Sequence, residues 1–323
     1  MKYVKNPIAD FDSPDPFVTY DNESGYYYSL FTRGSCLEIF RSKNAADIVR
    51  GGDSRVIYTP GGERDGIFGD IWAPEMHRGS DGKWYIYTSG RMAEKKGAQK
   101  RLIILRAKSA DPFGDWEFVC KPSPDVFSID PTIYTAQDGT QYLCCSRVDL
   151  ELWRGQVLDI IKMRSPTEFT DERATIAIAE LDWELVPPYV GTAAIVEGAF
   201  FVENAGRLFI IYSANGCWSD EYALGVLEHT GGDLCDAKNW KKHPKPLLVK
   251  GNGAYGPGHA TFFYSPDKSE LWCAYHAMRE HNETVTETTR YMNLQRVYFD
   301  DTGYPVMGEA VGAVEQAPPS GEI

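Results

Sequence analysis

DPFVTYDNESGYYYSLFT, residues 15–32, reads as an acidic head against a proline, a strand, a polar turn and an aromatic strand. The succession returns as APEMHRGSDGKWYIYTSG from Ala73, DPTIYTAQDGTQYLCCSR from Asp130, GAFFVENAGRLFIIYSAN from Gly198 and GHATFFYSPDKSELWCAYHA from Gly258. These starts lie about 57 to 68 residues apart, a period that marks a propeller or an array of repeats. The links within repeats carry turn chemistry, as in Asp21-Asn22-Glu23-Ser24-Gly25 and Gln137-Asp138-Gly139. Further strands follow: LEIFRS from Leu37, LIILRAKS from Leu102, LDIIKMRS from Leu158, ALGVLEH from Ala223 and NLQRVYFD from Asn293. Three or four strands per repeat make one blade, so the chain is expected to fold as all-β, a five-bladed β-propeller filling residues 1–323 as one domain. A β-sandwich would match the strand count but leave the period unexplained. Asn44 to Val49 has room for a short turn of helix, and Lys95 to Lys100 reads as an exposed loop. EQAPPSGEI, about residues 315–323, reads as a loose end.

The arrangement has a chemical consequence. Repeat heads point at the propeller axis, so residues far apart in sequence converge on one pocket. Asp15, Asp130 and Glu197 stand at three of the five heads. Asp15 is fixed between Pro14 and Pro16, which bias the backbone to extended or turn geometry, and Asp130 enters its strand through another Asp-Pro. Glu197 follows an apolar run in AAIVEGAFFV, where burial raises a carboxyl's pKa. A raised pKa is what a general acid needs at neutral pH. Taken singly, each acid could equally be a turn or strand residue; the set is what points to catalysis.

Composition narrows the partners. A net charge of −13, with 33 basic against 46 acidic residues and no long basic stretch, disfavours nucleic acid and polyanionic substrates and suits neutral ligands. Nineteen Tyr and eight Trp supply flat faces for the core and for sugar rings. No stretch reaches membrane-spanning length, so no membrane partner is expected. The N-terminus has no signal-peptide apolar run, and seven cysteines without a CxxC resemble no disulfide framework, so a cytoplasmic location is expected. His276 and His281 flank an AMRE segment read as exposed and lack ligand-spaced partners for zinc. Gly51-Gly52 and Gly61-Gly62 precede no helix and make no phosphate loop.

SPDPFV, IWAPE, SIDPTIY, VEGAFF and GPGH, in this order and spacing, resemble glycoside hydrolase family 43, the five-bladed propeller arabinofuranosidases, arabinanases and xylosidases. The likeness runs from Asn6-Pro7 through Arg290 to Gly303. It implies that Asp15 is the general base, that Asp130 orients the acid and tunes its pKa while staying ionised, and that Glu197 is the general acid, in an inverting hydrolysis. It also implies that Trp72 in IWAPE and Arg290 bind substrate, with an inter-blade core position and a surface arginine as the respective alternatives. His259 in GPGH resembles an axial histidine that ligates or hydrogen-bonds a calcium shell; no organic cofactor is implied. The motifs favour an exo-acting α-L-arabinofuranosidase on a neutral oligosaccharide. A β-xylosidase, an endo-arabinanase or a non-catalytic carbohydrate-binding propeller are the alternatives, the last having no use for three acids at the heads.

Overall fold

A computed structural model describes residues 2–94, 100–120, 122, 128–149, 155–186, 194–281 and 289–322. Besides a two-stranded pairing of the chain ends, the strands form five sheets arranged as the blades of a propeller, antiparallel except where Leu248–Val249 pairs in parallel with Gly308–Glu309. Blade 1 comprises Phe17–Asp21, Tyr26–Leu30, Leu37–Ser42 and Asp53–Tyr58, and blade 2 comprises Trp72–Arg78, Trp84–Arg91, Lys100–Ala107 and Trp116–Cys120. Blade 3 is Ser128–Thr135, Gln141–Asp149, Gly155–Ser165 and Glu168–Ala177. Blade 4 is Val196–Asn204, Arg207–Ala214 and Ala223–His229, with its outer strand split into Trp240–Lys242 and Leu248–Val249. Blade 5 is Tyr255–Tyr264, Leu271–Met278, Tyr291–Phe299 and Pro305–Val306. The first strands of successive blades lie against one another around the ring, and Tyr255–Tyr264 closes it against Phe17–Asp21.

A sheet with two apolar faces must bury both, and each blade does so against its two neighbours. The core is accordingly five separate seams. Phe17, Leu30 and Ile39 meet Ile71, Met76 and Ile86 between blades 1 and 2; Val18, Tyr27 and Phe40 meet Phe263, Trp272 and Leu294 between blades 5 and 1.

Each first strand opens on a residue in the left-handed region: Asp15 (φ 55°), Ala73 (44°), Asp130 (55°), Gly198 (55°) and His259 (46°). In blades 2 to 5 the pairing register slips at this point, between Trp72 and Glu75, Ile129 and Thr132, Glu197 and Phe200, and Gly258 and Thr261. Such bulges re-aim side chains beside active sites, and here they turn the heads of the blades inward. The fifth head is therefore His259 rather than Gly258, from which the sequence repeat is counted.

The ring is fastened by both chain ends. Residues 6–13 run along Tyr291–Phe299: Ile8 N–H donates to Met292 O (2.9 Å), Ser13 N–H to Arg290 O (2.8 Å), and the Asn6 amide bonds both Leu294 N–H and Leu294 O (2.8 Å each). The tail that its composition suggests is loose is part of this fastening. Glu315–Gln316 pair with Val4–Lys5, Ser320 N–H donates to Glu270 (3.1 Å), and Glu322 accepts Ala45 N–H (2.9 Å). Its partners lie far away in sequence, where a local reading cannot find them. Ala45–Asp47 form the short helical turn expected within Asn44–Val49. Of the expected Lys95–Lys100 loop, residues 95–99 lie outside the described residues, and Lys100 opens a strand with its side chain buried.

Candidate active site

Asp15, Asp130, Glu197, His259 and Arg290 come together where the heads of the blades meet. The Asp15 carboxylate accepts from Arg290 Nη1 at 3.0 Å and lies 3.4 Å from His259 Nδ1 and 3.3 Å from His276 Nδ1. Burial alone would push this carboxyl up, but the charges of Arg290 and His259 outweigh burial and hold it well below the usual carboxylate range. Arg290 is itself set in place by its backbone, whose N–H donates to Asp12 Oδ1 (2.9 Å) and whose carbonyl accepts from Ser13. Asp15 is thus a buried carboxylate kept ionised.

Asp130 and Glu197 are the opposite case. Gly198 N–H donates to Asp130 Oδ2 (3.2 Å); the Tyr222 hydroxyl donates to Glu197 Oε1 (2.9 Å) and the Gln156 amide to Oε2 (3.2 Å). Burial raises both carboxyls, His259 opposes it, and the negative charge of Asp15 adds to the rise. Asp130 is pushed up to about 7, with Glu197 among the causes. The two titrate as a pair that keeps a proton toward neutral pH. The resemblance implies an Asp130 that stays ionised; burial beside a second carboxylate raises it instead. Gly198 makes the approach possible. A Cβ there would stand 3.1–3.2 Å from His259 Cγ, Cα and Nδ1, and its φ of +55° suits a residue without one.

His259 is buried among acids. Burial lowers its pKa, yet Asp15, Asp130, Glu197 and Glu75 together raise it above the ordinary imidazole value. His259, Asp130 and Glu197 each offer one ligand atom within 4.8 Å of one another. That spacing and charge fit a hard divalent cation, although Ca²⁺ takes six to eight oxygens and would need waters for the remainder.

Trp72 occupies the position in blade 2 that Glu197 holds in blade 4, immediately before the head. Lys100 Nζ sits 3.4 Å over its ring centroid, and its carbonyl accepts from Thr88 (2.6 Å). One face of the indole is therefore taken by a buried lysine, which leaves at most the other for a sugar.

His276, Tyr222 and Gln156 escape the sequence reading. His276 is wholly buried, on the strand Leu271–Met278, and Ala277 and Met278 of the AMRE segment are buried with it, not exposed. Its Nδ1 accepts Asp15 N–H at 3.1 Å. Burial pushes its pKa down to about 3, so the ring stays neutral and can accept. A signal was available. The residues paired opposite Trp72, Ile129, Glu197 and Gly258 are Ser89, Ser146, Ser213 and His276, so histidine replaces a recurring serine. The same seam logic recurs where Ser213 accepts His259 N–H (2.7 Å) and Thr32 accepts Ala73 N–H (2.7 Å).

The arrangement can remove a proton at Asp15 and deliver one from the Asp130–Glu197 pair. The family model described as Glycosyl hydrolases family 43 matches residues 4–305. The chain is 30% identical over 289 residues to the extracellular exo-alpha-(1->5)-L-arabinofuranosidase of Streptomyces chartreusis, covering 87% of this chain and 84% of that one. It is 28% identical over 314 residues to the enzyme of the same name from Streptomyces avermitilis, covering 94% of this chain but 63% of that longer protein. The crystal structure of alpha-L-arabinofuranosidase from Lactobacillus brevis superposes with a TM-score of 0.85 at 24% identity, over 97% of this chain and 98% of that one, and shows the same fold. Two relatives named as extracellular overturn the cytoplasmic location expected from the sequence. The thiols of Cys144, Cys145 and Cys273 are raised by burial, so the fold itself shelters them and they do not report a reducing compartment.

Proposed function

The chain belongs to glycosyl hydrolases family 43 and is a glycoside hydrolase, and we propose that it is an inverting, exo-acting α-L-arabinofuranosidase working on the ends of neutral arabino-oligosaccharides or arabinan. The observation that carries the reading is the division of protonation in one chamber: Asp15 is held ionised, while Asp130 and Glu197 retain a proton. Asp15 takes a proton from water as the water oxygen bonds to the anomeric carbon. The bond from that carbon to the departing oxygen breaks, and Glu197 gives that oxygen its proton. The product leaves with inverted configuration, Asp15 protonated and Glu197 ionised, and exchange with solvent restores both. Inverting enzymes place their two carboxyls about 6.5–9.5 Å apart so that water fits between them. The relatives' names support the choice of sugar. Hydrolysis of nitrophenyl α-L-arabinofuranoside but not of the β-D-xyloside, with the first-formed anomer read by NMR, tests sugar and stereochemistry together. Hydrolysis of neither, with retained oligosaccharide binding, would instead mark a non-catalytic propeller.

The protonation pattern predicts a pH profile. Glu197 must carry its proton, so in the presence of chelator kcat/KM falls as pH rises through its pKa, which burial lifts above the usual carboxylate range. On the acid side the rate persists below the ordinary carboxylate range, because Asp15 stays ionised there. A flat profile from pH 5 to 9 would contradict this assignment.

We further propose calcium on the propeller axis at His259, with waters supplying the oxygen ligands that the imidazole cannot, so that Glu197 keeps its proton. Its chemistry there is positive charge against three acids. His259→Ala should lower activity about 10-fold or more without unfolding the protein, and should abolish any effect of Ca²⁺ on the alkaline limb of the profile. Full activity in that variant, with chelators never affecting the parent, would remove the axial role.

A further inference from the structure

Asp15 and Glu197 belong to blades 1 and 4, which are not neighbours in the ring; blade 5 lies between them. Besides His259, which lies beside both acids, a second set of contacts crosses this gap through two aromatic rings. His276, from blade 5, accepts the Asp15 backbone N–H on Nδ1 (3.1 Å). Its ring lies parallel to that of Tyr222, with an interplanar angle of 2° and centroids 5.5 Å apart. Tyr222 leads into the blade 4 strand Ala223–His229 and donates its hydroxyl to Glu197 Oε1 (2.9 Å). The tyrosine has no room to swing. A Cβ on Gly258 would come within 2.2 Å of its Cε1, so the ring is boxed between Gly258 and His276.

We propose that His276 and Tyr222 form a two-ring strut that fixes the spacing between the general base and the general acid. The proposal rests on the assignment of Asp15 and Glu197 to those roles. Inversion depends on a separation that admits one water, and that separation cannot be set within one blade, because the two carboxylates share none. A strut of flat, rigid groups with hydrogen bonds at both ends carries the distance across blade 5. The bland alternative is a core histidine that only fills space. Against it, His276 Nε2 is buried with no partner among the described residues, a cost that an apolar side chain in the same place would not carry. Nδ1, by contrast, is used, and on the backbone of the base itself.

Both residues are positioning residues, so the test reads how each loss depends on the leaving group. His276→Ala should lower kcat about 10- to 100-fold on an arabino-oligosaccharide and on dinitrophenyl α-L-arabinofuranoside alike, with KM little moved, because it displaces the base. His276→Asn, whose Oδ1 can stand where Nδ1 does, should recover much of that loss. Tyr222→Phe keeps the ring but not the hydroxyl, and should cost more on the oligosaccharide, which needs the acid, than on the dinitrophenyl substrate. Combined, His276→Ala and Tyr222→Phe should cost less than the product of the single losses, since one strut cannot be broken twice. Full activity in both single variants, or losses that multiply strictly, would overturn the strut. Should His276→Ala fail to fold by circular dichroism, the Asn and Phe variants decide. Asp15→Asn and Glu197→Gln measured alongside separate the two failures: if those variants stay active, the carboxylate assignments are wrong, whereas dead carboxylate variants beside unaffected ring variants reject the strut alone.

Discussion

Asp15→Asn should hydrolyse arabino-oligosaccharide and dinitrophenyl arabinofuranoside alike at about 10²- to 10⁴-fold below the parent, the loss typical of a general base. The attacking water must give up a proton whichever group departs, so an easier leaving group cannot compensate. The substitution is nearly isosteric and leaves the backbone N–H to His276 in place, so the propeller should stay folded. It also removes the negative charge that Arg290 faces at 3.0 Å, while Arg290 keeps its backbone bonds to Asp12 and Ser13. Azide, a nucleophile that has no proton to lose, should restore turnover in this variant by forming the glycosyl azide of inverted configuration. Initial rates with and without azide make the measurement. Near-parental activity without azide would exclude Asp15 as base.

Glu197→Gln behaves differently on the two substrates. An oligosaccharide leaves as an alkoxide unless it is protonated, so removing the acid should cost about 10²–10⁴-fold. A dinitrophenol is acidic enough to leave as its anion, and the same variant should lose far less on it. Glutamine keeps acceptor capacity toward Tyr222 and bulk beside Gly198, so the contrast reports the proton and not a collapsed site. The measured quantity is the ratio of the two losses. Equal losses on both substrates would refute the acid role.

The architecture was legible because turn chemistry and aromatic strands recur at a period that local sequence exposes. One head was not: at the fifth the glycine draws the eye although His259 carries the positive φ. Gly258 serves another purpose: it clears space for the Tyr222 ring. The three carboxylates could be found because acids at the heads of blades are conspicuous against apolar strands. Tyr222, Gln156 and His276 could not be found the same way. Their roles depend on cross-strand register and on which blade meets which, and a one-residue slip in register reverses every facing. The resemblance placed an ionised Asp130 beside Glu197, but how deeply the fold buries it, which raises its carboxyl, could not be read from the chain. The surroundings of the Trp72 indole were equally illegible, since the lysine that covers one face arrives from another strand of the blade.

The N-terminal segment is stitched onto the last blade beside the base, and this gives the molecule a built-in proofreading step. Asp15 stands in blade 1, but the groups that keep it ionised, Arg290 and His259, and the ring that holds its backbone, His276, all belong to the blade at the other end of the polypeptide. Arg290 is aimed only once Asp12 and Ser13 have laced onto its backbone. A propeller whose first and last blades have not met holds the same residues yet has no armed base and no strut toward the acid. Hydrolytic power therefore switches on with circular closure, and an incompletely assembled protein is chemically silent, not merely less stable.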